Sequence, residues 1–149
     1  MKWRKLLIRW SDDAPLESRT TASTWLAPRG LKSLWDGLRN ADFPYLVTGS
    51  AVAVSVAPVA PPRLASVYVE DAEGVANTLD LRATEAGANV ILLHPEDKTL
   101  FERATDRDGL RNARLPLVVA DLLSGPGRSP AEAEALMDWM AAHEEVWRG

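Results

Sequence analysis

The residues with the clearest chemical potential are Tyr45-Leu-Val-Thr-Gly-Ser50, which run directly into Ala51-Val-Ala-Val-Ser-Val-Ala57. β-Branched and aromatic residues give way to a Gly-Ser pair and then to small residues. That order predicts a short buried strand, a tight turn at Gly49 and a helix beginning at Ser50. Such a turn aims several backbone N–H groups at one point, a geometry that holds phosphate. Two-metal nucleotidyl transfer at such a turn also needs converging carboxylates to clamp the metals. On a strand, converging side chains sit at i and i+2, because neighbours point to opposite faces. The next strand ends in Val69-Glu70-Asp71, where the two acids are adjacent and therefore diverge. Asp71 and Glu73 have the required spacing, but Asp71 reads as a helix cap and Glu73 falls inside that helix. The strand Val90–Leu93 contains no acid. Gly49, Ser50, Glu70 and Asp71 are therefore the expected vestigial nucleotide-binding positions, with no catalytic residue among them.

Other constellations are sparse. The chain has no cysteine, which excludes disulfides, thiolate metal ligands and cysteine nucleophiles. His94 precedes a proline at a strand end, and His143 belongs to the packed face of a helix. Neither has a partner at zinc-ligand spacing, so no metal and no cofactor are expected. No serine lies in a Gly-x-Ser-x-Gly elbow. Gly125-Pro-Gly-Arg128 lacks the Gly-Lys-Ser/Thr ending of a phosphate loop and reads as a connector between helices.

The elements that must position these residues follow from periodicity. Trp3, Leu6, Leu7 and Trp10 recur at helical spacing, and Ser11-Asp-Asp-Ala-Pro15 ends that helix. Residues 16–28 are ambiguous. Leu31, Leu34, Trp35 and Leu38 mark a second amphipathic helix over residues 30–40. Residues 1–40 carry four of the six tryptophans, best explained by core packing. Pro58-Val-Ala-Pro-Pro62 predicts a connector, since proline breaks both helix and central strand. Leu64–Val69 and Val90–Leu93 read as strands, with a helix over residues 72–79 between them. Asp108-Gly109 signals a two-residue hairpin. Pro116 starts a helix through Leu123, ended by Gly125. Ser129-Pro-Ala-Glu132 forms a capping box opening a last helix, with Leu136, Met140, His143 and Trp147 on one face. The alternation of elements predicts an α/β (α+β) fold, a small mixed sheet with flanking helices.

Bulk properties agree with one domain over residues 1–149, in which a helical segment, 1–43, packs on a core, 44–149. The composition, 46% hydrophobic and 26% charged, is that of a soluble globular protein, and no apolar run reaches the length of a membrane span. The N-terminus is too charged for a signal peptide, so a cytoplasmic location and no membrane partner are expected. Charge is uneven: residues 1–40 hold eight basic and four acidic side chains, residues 41–149 nine and seventeen. A net charge of −4 disfavours stand-alone nucleic-acid binding, which draws most of its affinity from phosphate neutralisation.

Taken together, these segments resemble the antitoxin component of AbiE-type abortive-infection (type IV) toxin–antitoxin systems, in its actinobacterial form. The likeness rests on Tyr45–Ser50, Pro62-Arg63 before Val67-Tyr-Val-Glu-Asp71, and Gly87-Ala-Asn-Val90 before Leu92-Leu93. It continues through Asp108-Gly-Leu110, Asp121-Leu-Leu123, Gly125–Arg128 and Glu132-Ala-Glu134, with Trp10 and Leu26-Ala-Pro-Arg-Gly-Leu31 upstream. The resemblance implies a decayed nucleotidyltransferase-like domain that supports antitoxin function, preceded in the family by a winged helix that binds the operon promoter for transcriptional regulation. This chain begins near the point where that winged helix would end, so DNA is an expected partner only if such a domain is present in the native protein. The expected role is non-catalytic, through a protein partner or self-association. Two other classes compete with it. One is an active nucleotidyltransferase of the polymerase β type using the Gly49-Ser50 turn with Asp71 and Glu73. The other is a general protein-interaction module.

Overall fold

The computed structural model describes residues 2–57, 62, 64–124 and 129–148. In chain order the elements are α1 (Lys2–Asp13), α2 (Leu16–Arg19), β1 (Thr20–Leu26), α3 (Leu31–Arg39), β2 (Tyr45–Thr48) and α4 (Ser50–Val56). They continue with β3 (Ala65–Val69), α5 (Ala72–Thr78), β4 (Arg82–Ala83), β5 (Val90–Pro95), β6 (Ala104–Arg107), β7 (Leu110–Ala113), α6 (Leu115–Leu123), α7 (Ser129–Ala142) and α8 (Glu144–Trp147). A 3-10 turn over Lys98–Glu102 precedes β6. The architecture is α/β, with one seven-stranded mixed sheet flanked by helices.

The strands lie in the order β4-β1-β5-β3-β2-β7-β6. β3 with β5 and β2 with β7 are parallel pairs, and the remaining neighbours are antiparallel. β2 is buried along its whole length, and β3 nearly so, because helices cover both faces at the centre of the sheet. Alternation places Leu46, Thr48, Ser66 and Tyr68 on one face and Tyr45, Val47, Val67 and Val69 on the other. The core fills around them with Leu34 and Leu38 of α3, Leu92 and Leu93 of β5, Val118, Val119 and Leu122 of α6, and Leu136, Met137 and Met140 of α7.

Local chemistry explains most boundaries. Gly49, at φ 71°, makes the bend between β2 and α4. A Cβ there would sit at ordinary contact distance, 3.5 Å, from Ser66, so conformation rather than space calls for glycine. Asp71 caps α5 by accepting from the Gly74 N–H at 3.1 Å. Asp108 and Gly109, both at positive φ, form the turn between β6 and β7, as two-residue hairpins require. The strand of residues 64–69 begins at Ala65, and that of 90–93 extends through Pro95.

Several expectations need correction. Residues 1–43 are not helical throughout: Thr20–Leu26, rich in threonine, forms β1 and joins the sheet between β4 and β5. α1 runs past Ser11 to Asp13 before Pro15 stops it. Its apolar stripe is only half covered. Trp3 and Leu7 pack on the core, whereas Leu6 is 65% and Trp10 41% exposed. The anchoring side is reinforced by Arg4, which bridges Glu134 and Asp138 of α7 at 2.7 and 3.0 Å, and by the Trp3 indole donating to Glu144 at 2.6 Å. Glu132 accepts a hydrogen bond from Ser50 Oγ, and the capping box expected between Ser129 and Glu132 lies outside the described side chains. The last helix breaks at His143, so Trp147 belongs to α8. The connectors at Pro58–Pro61 and Gly125–Arg128 lie outside the described residues. Among the described residues no helix is long and apolar enough to cross a membrane.

Gly49→Val is expected to lower unfolding free energy by about 1–3 kcal/mol through the forced positive φ. Urea denaturation checks this, and an unchanged midpoint and slope would contradict the conformational role of Gly49.

Candidate functional site

The Gly49-Ser50 turn sits where β2 ends, above the face of the sheet covered by α6 and α7. Its backbone is partly committed already: the N–H groups of Val52 and Ala53 both donate to Gly49 O at 3.1 Å. Ser50 Oγ donates to Glu132 Oε1 at 2.8 Å, joining α4 to α7. Glu132 is buried, and its Oε2 has no hydrogen-bond partner among the described residues.

Strand register separates the four expected site residues into two pairs. Thr48 pairs with Ser66, whereas Tyr45 pairs with Val69. Gly49 and Ser50 therefore leave one end of the β2–β3 pair, and Glu70 and Asp71 leave the other. Three strand steps of about 3.3 Å put the two ends roughly 10 Å apart before either turn begins. Glu70 is exposed, and its carbonyl accepts from His94 Nδ1 at 3.0 Å. Asp71 is engaged as the α5 cap, with Glu73 in the first turn beyond it. The antiparallel pairing keeps these acids away from Gly49 and Ser50. Among the described residues no group of three or more His, Asp or Glu side chains is placed to hold a metal ion.

The acid that does lie beneath the turn is Asp121, on α6. Its Oδ2 accepts from Thr48 Oγ1 at 2.8 Å and from Tyr68 Oη at 2.7 Å, and its Oδ1 accepts from Arg19 at 2.9 Å. One carboxylate thus joins α2, β2, β3 and α6. Its side chain is 2% exposed and that of Arg19 18% exposed. Arg19 is held from two further directions, donating through Nε to Ala14 O at 2.7 Å and lying 4.5 Å from the ring centre of Trp10. Burial pushes the Asp121 carboxyl up from its ordinary range, opposed by the hydrogen bonds from Tyr68, Arg19 and Thr48. Burial also raises the Tyr68 phenol strongly, and the neighbouring Asp121 charge adds to it. Arg19 is raised too, because the pairing with Asp121 outweighs the cost of its burial. A carboxylate with all these donors and little solvent contact is built to hold elements together rather than to exchange protons with a ligand.

This network escaped the sequence reading, although one signal was present. Asp121 is the sole charge in Leu115-Pro-Leu-Val-Val-Ala-Asp-Leu-Leu123. A lone acid in so apolar a helix needs partners, because an unpaired buried charge is very costly. Nothing local indicated that Arg19, about a hundred residues earlier, would supply one. His143, expected on a packed helical face, is half-buried at the end of α7, where it donates through Nδ1 to Trp139 O at 2.7 Å and stacks on that indole with ring centres 4.2 Å apart. Comparison with protein-family models, characterised proteins and solved structures finds no significant match to this chain.

Two predictions follow from the network. Arg19→Met leaves Asp121 without its cation and should cost about 3–5 kcal/mol at neutral pH, read by chemical denaturation. A loss below 1 kcal/mol, roughly the value of an exposed pair, would contradict the buried pairing. Tyr68 gives the pH test. Its folded pKa lies above the unfolded value of about 10, so its stabilising contribution is complete below that pH and is lost as pH rises above it. Melting temperatures followed into alkali should therefore fall more steeply for the wild type than for Tyr68→Phe. Parallel profiles would place Tyr68 outside the alkaline transition.

Proposed function

We propose that this chain is a non-catalytic effector domain of the AbiE antitoxin type, on a decayed nucleotidyltransferase-like scaffold, acting through protein contacts in the cytoplasm. The observation that carries the reading is the separation of the Gly49-Ser50 turn from Glu70 and Asp71 at opposite ends of β2–β3. The strand–turn–helix with glycine at its bend supports the scaffold, and the acids needed for two-metal transfer do not meet there. The nearest buried acids, Asp121 and Glu132, are engaged by side chains of the protein.

The contact reading draws support from α1. Leu6 and Trp10, one turn apart on α1, are exposed large hydrophobic residues with Lys2, Lys5 and Arg9 exposed around them, while Ile8 is exposed on the other side of the helix. A basic, apolar helix face suits a protein partner with an acidic, apolar surface. Regulation of transcription through DNA belongs to this reading only where a winged helix accompanies the domain in the native protein.

Co-expression with a nucleotidyltransferase-type toxin encoded beside it tests the proposal. The expected result is relief of growth arrest that survives Asp71→Ala and Ser50→Ala. Transfer of labelled nucleotide in the presence of Mg²⁺, abolished by Asp71→Ala, would replace this reading with an active nucleotidyltransferase.

A further inference from the structure

A further cavity is lined by none of Asp121, Arg19, Thr48, Tyr68, Gly49 or Ser50, although Val52 of α4 contributes to its wall. It has a volume of about 540 Å³ and opens between the β6–β7 hairpin, the start of α6 and the C-terminal helices. That volume falls within the range of roughly 300–1,000 Å³ usual for small-molecule sites. Arg107, Arg114 and Arg148 line it, together with Trp139 and Trp147, and no Asp or Glu does. Such a concentration of positive charge runs against a chain of net charge −4.

Arg114 is the informative residue. It occupies the N-cap position of α6, a nine-residue helix with no side-chain cap. A helix N-terminus carries partial positive charge, so a cation there is unfavourable unless an anion offsets it. Asp, Asn, Ser or Thr would be the stabilising choice. The other two arginines are partly occupied. Arg107 donates to Ser55 Oγ at 3.0 Å, and Arg148 pairs with Glu144 at 3.2 Å beside the face of Trp147. Neither use neutralises Arg114. Thr105 and Asn112, cross-strand partners in the hairpin, add a hydroxyl and an amide to the lining.

The aromatic wall is already fixed. Trp147 donates to Met140 O at 2.8 Å and meets Trp3 edge-on at 5.0 Å, while Trp139 is stacked on His143. Held rings beside cations suit a ligand with a flat apolar body and one anionic group, since the aromatic side of the site needs little ordering on binding. A long polyanion is disfavoured by the acidic balance of residues 41–149. We infer that this cavity is a binding site for a small aromatic anion, its phosphate or carboxylate held by Arg114 and Arg107 at the α6 N-terminus and its ring against the tryptophans.

Isothermal titration of the full chain with AMP and with indole-3-acetate tests the assignment, using adenosine and inorganic phosphate as half-ligands. At least one aromatic anion should bind with Kd below about 1 mM, and both half-ligands should bind at least about tenfold more weakly. Arg114→Ala and Arg107→Ala should each weaken binding by about tenfold or more, as loss of a charge-assisted contact does. Arg114→Ala should hold or raise the melting temperature, because it removes a cation from the positive end of a helix. No saturable binding of either anion, equal binding of adenosine or phosphate, or unchanged affinity in both variants would overturn the site. A lower melting temperature in Arg114→Ala would assign that arginine a structural role and overturn its place in the site.

Discussion

The structure depends on where the charge of Asp121 goes. An ionised carboxylate inside a protein is tolerable only when cations and hydrogen-bond donors replace its water. Here Arg19, Thr48 and Tyr68 supply that replacement from three separate elements. Because each donor must meet the same two oxygens, α6 is fixed against β2 and β3, and the α2 turn is drawn in from the edge of the molecule. Arg19 ends α2 and immediately precedes β1, so seating its guanidinium also sets the start of a strand that pairs along β5. The carboxylate adds to the apolar packing of α6 a directional constraint that hydrophobic burial does not supply.

The residues of the Gly49-Ser50 turn have structural partners of their own in the same region. Gly49 is required by the backbone, and Ser50 by its bond to Glu132. Both residues therefore have structural reasons to be where they are. Antiparallel pairing of β2 and β3 then carries Glu70 and Asp71 to the far end, where Asp71 serves α5. The turn serves as a junction between α4 and α7.

Local signals made much of this legible in the sequence. The bend at Gly49, the Asp71 cap, the Asp108-Gly109 turn and the start of α6 near Pro116 each depend on residues adjacent in the chain, and each is found in the structure. Contacts between distant segments were not legible. β1 was hidden because its threonines alternate weakly and gain strand character only by pairing with β5. The bond from Ser50 to Glu132 joins residues 82 positions apart, so no local pattern announced it. The stripe on α1 predicted burial of Leu6 and Trp10, but periodicity reports an apolar face and not what covers it. The arginine-lined cavity was equally hidden, since Arg107, Arg114 and Arg148 converge only once the hairpin, α6 and α8 are in place.

A double-mutant cycle between Arg19 and Asp121, read by equilibrium unfolding at neutral pH, tests the central claim most directly. If the pair organises the surrounding elements, Arg19→Met combined with Asp121→Leu should be far less damaging than the sum of the single changes, with a coupling of roughly 1–3 kcal/mol. Strictly additive losses would show that the two side chains act independently, and the carboxylate would then not be the point on which these elements are fixed.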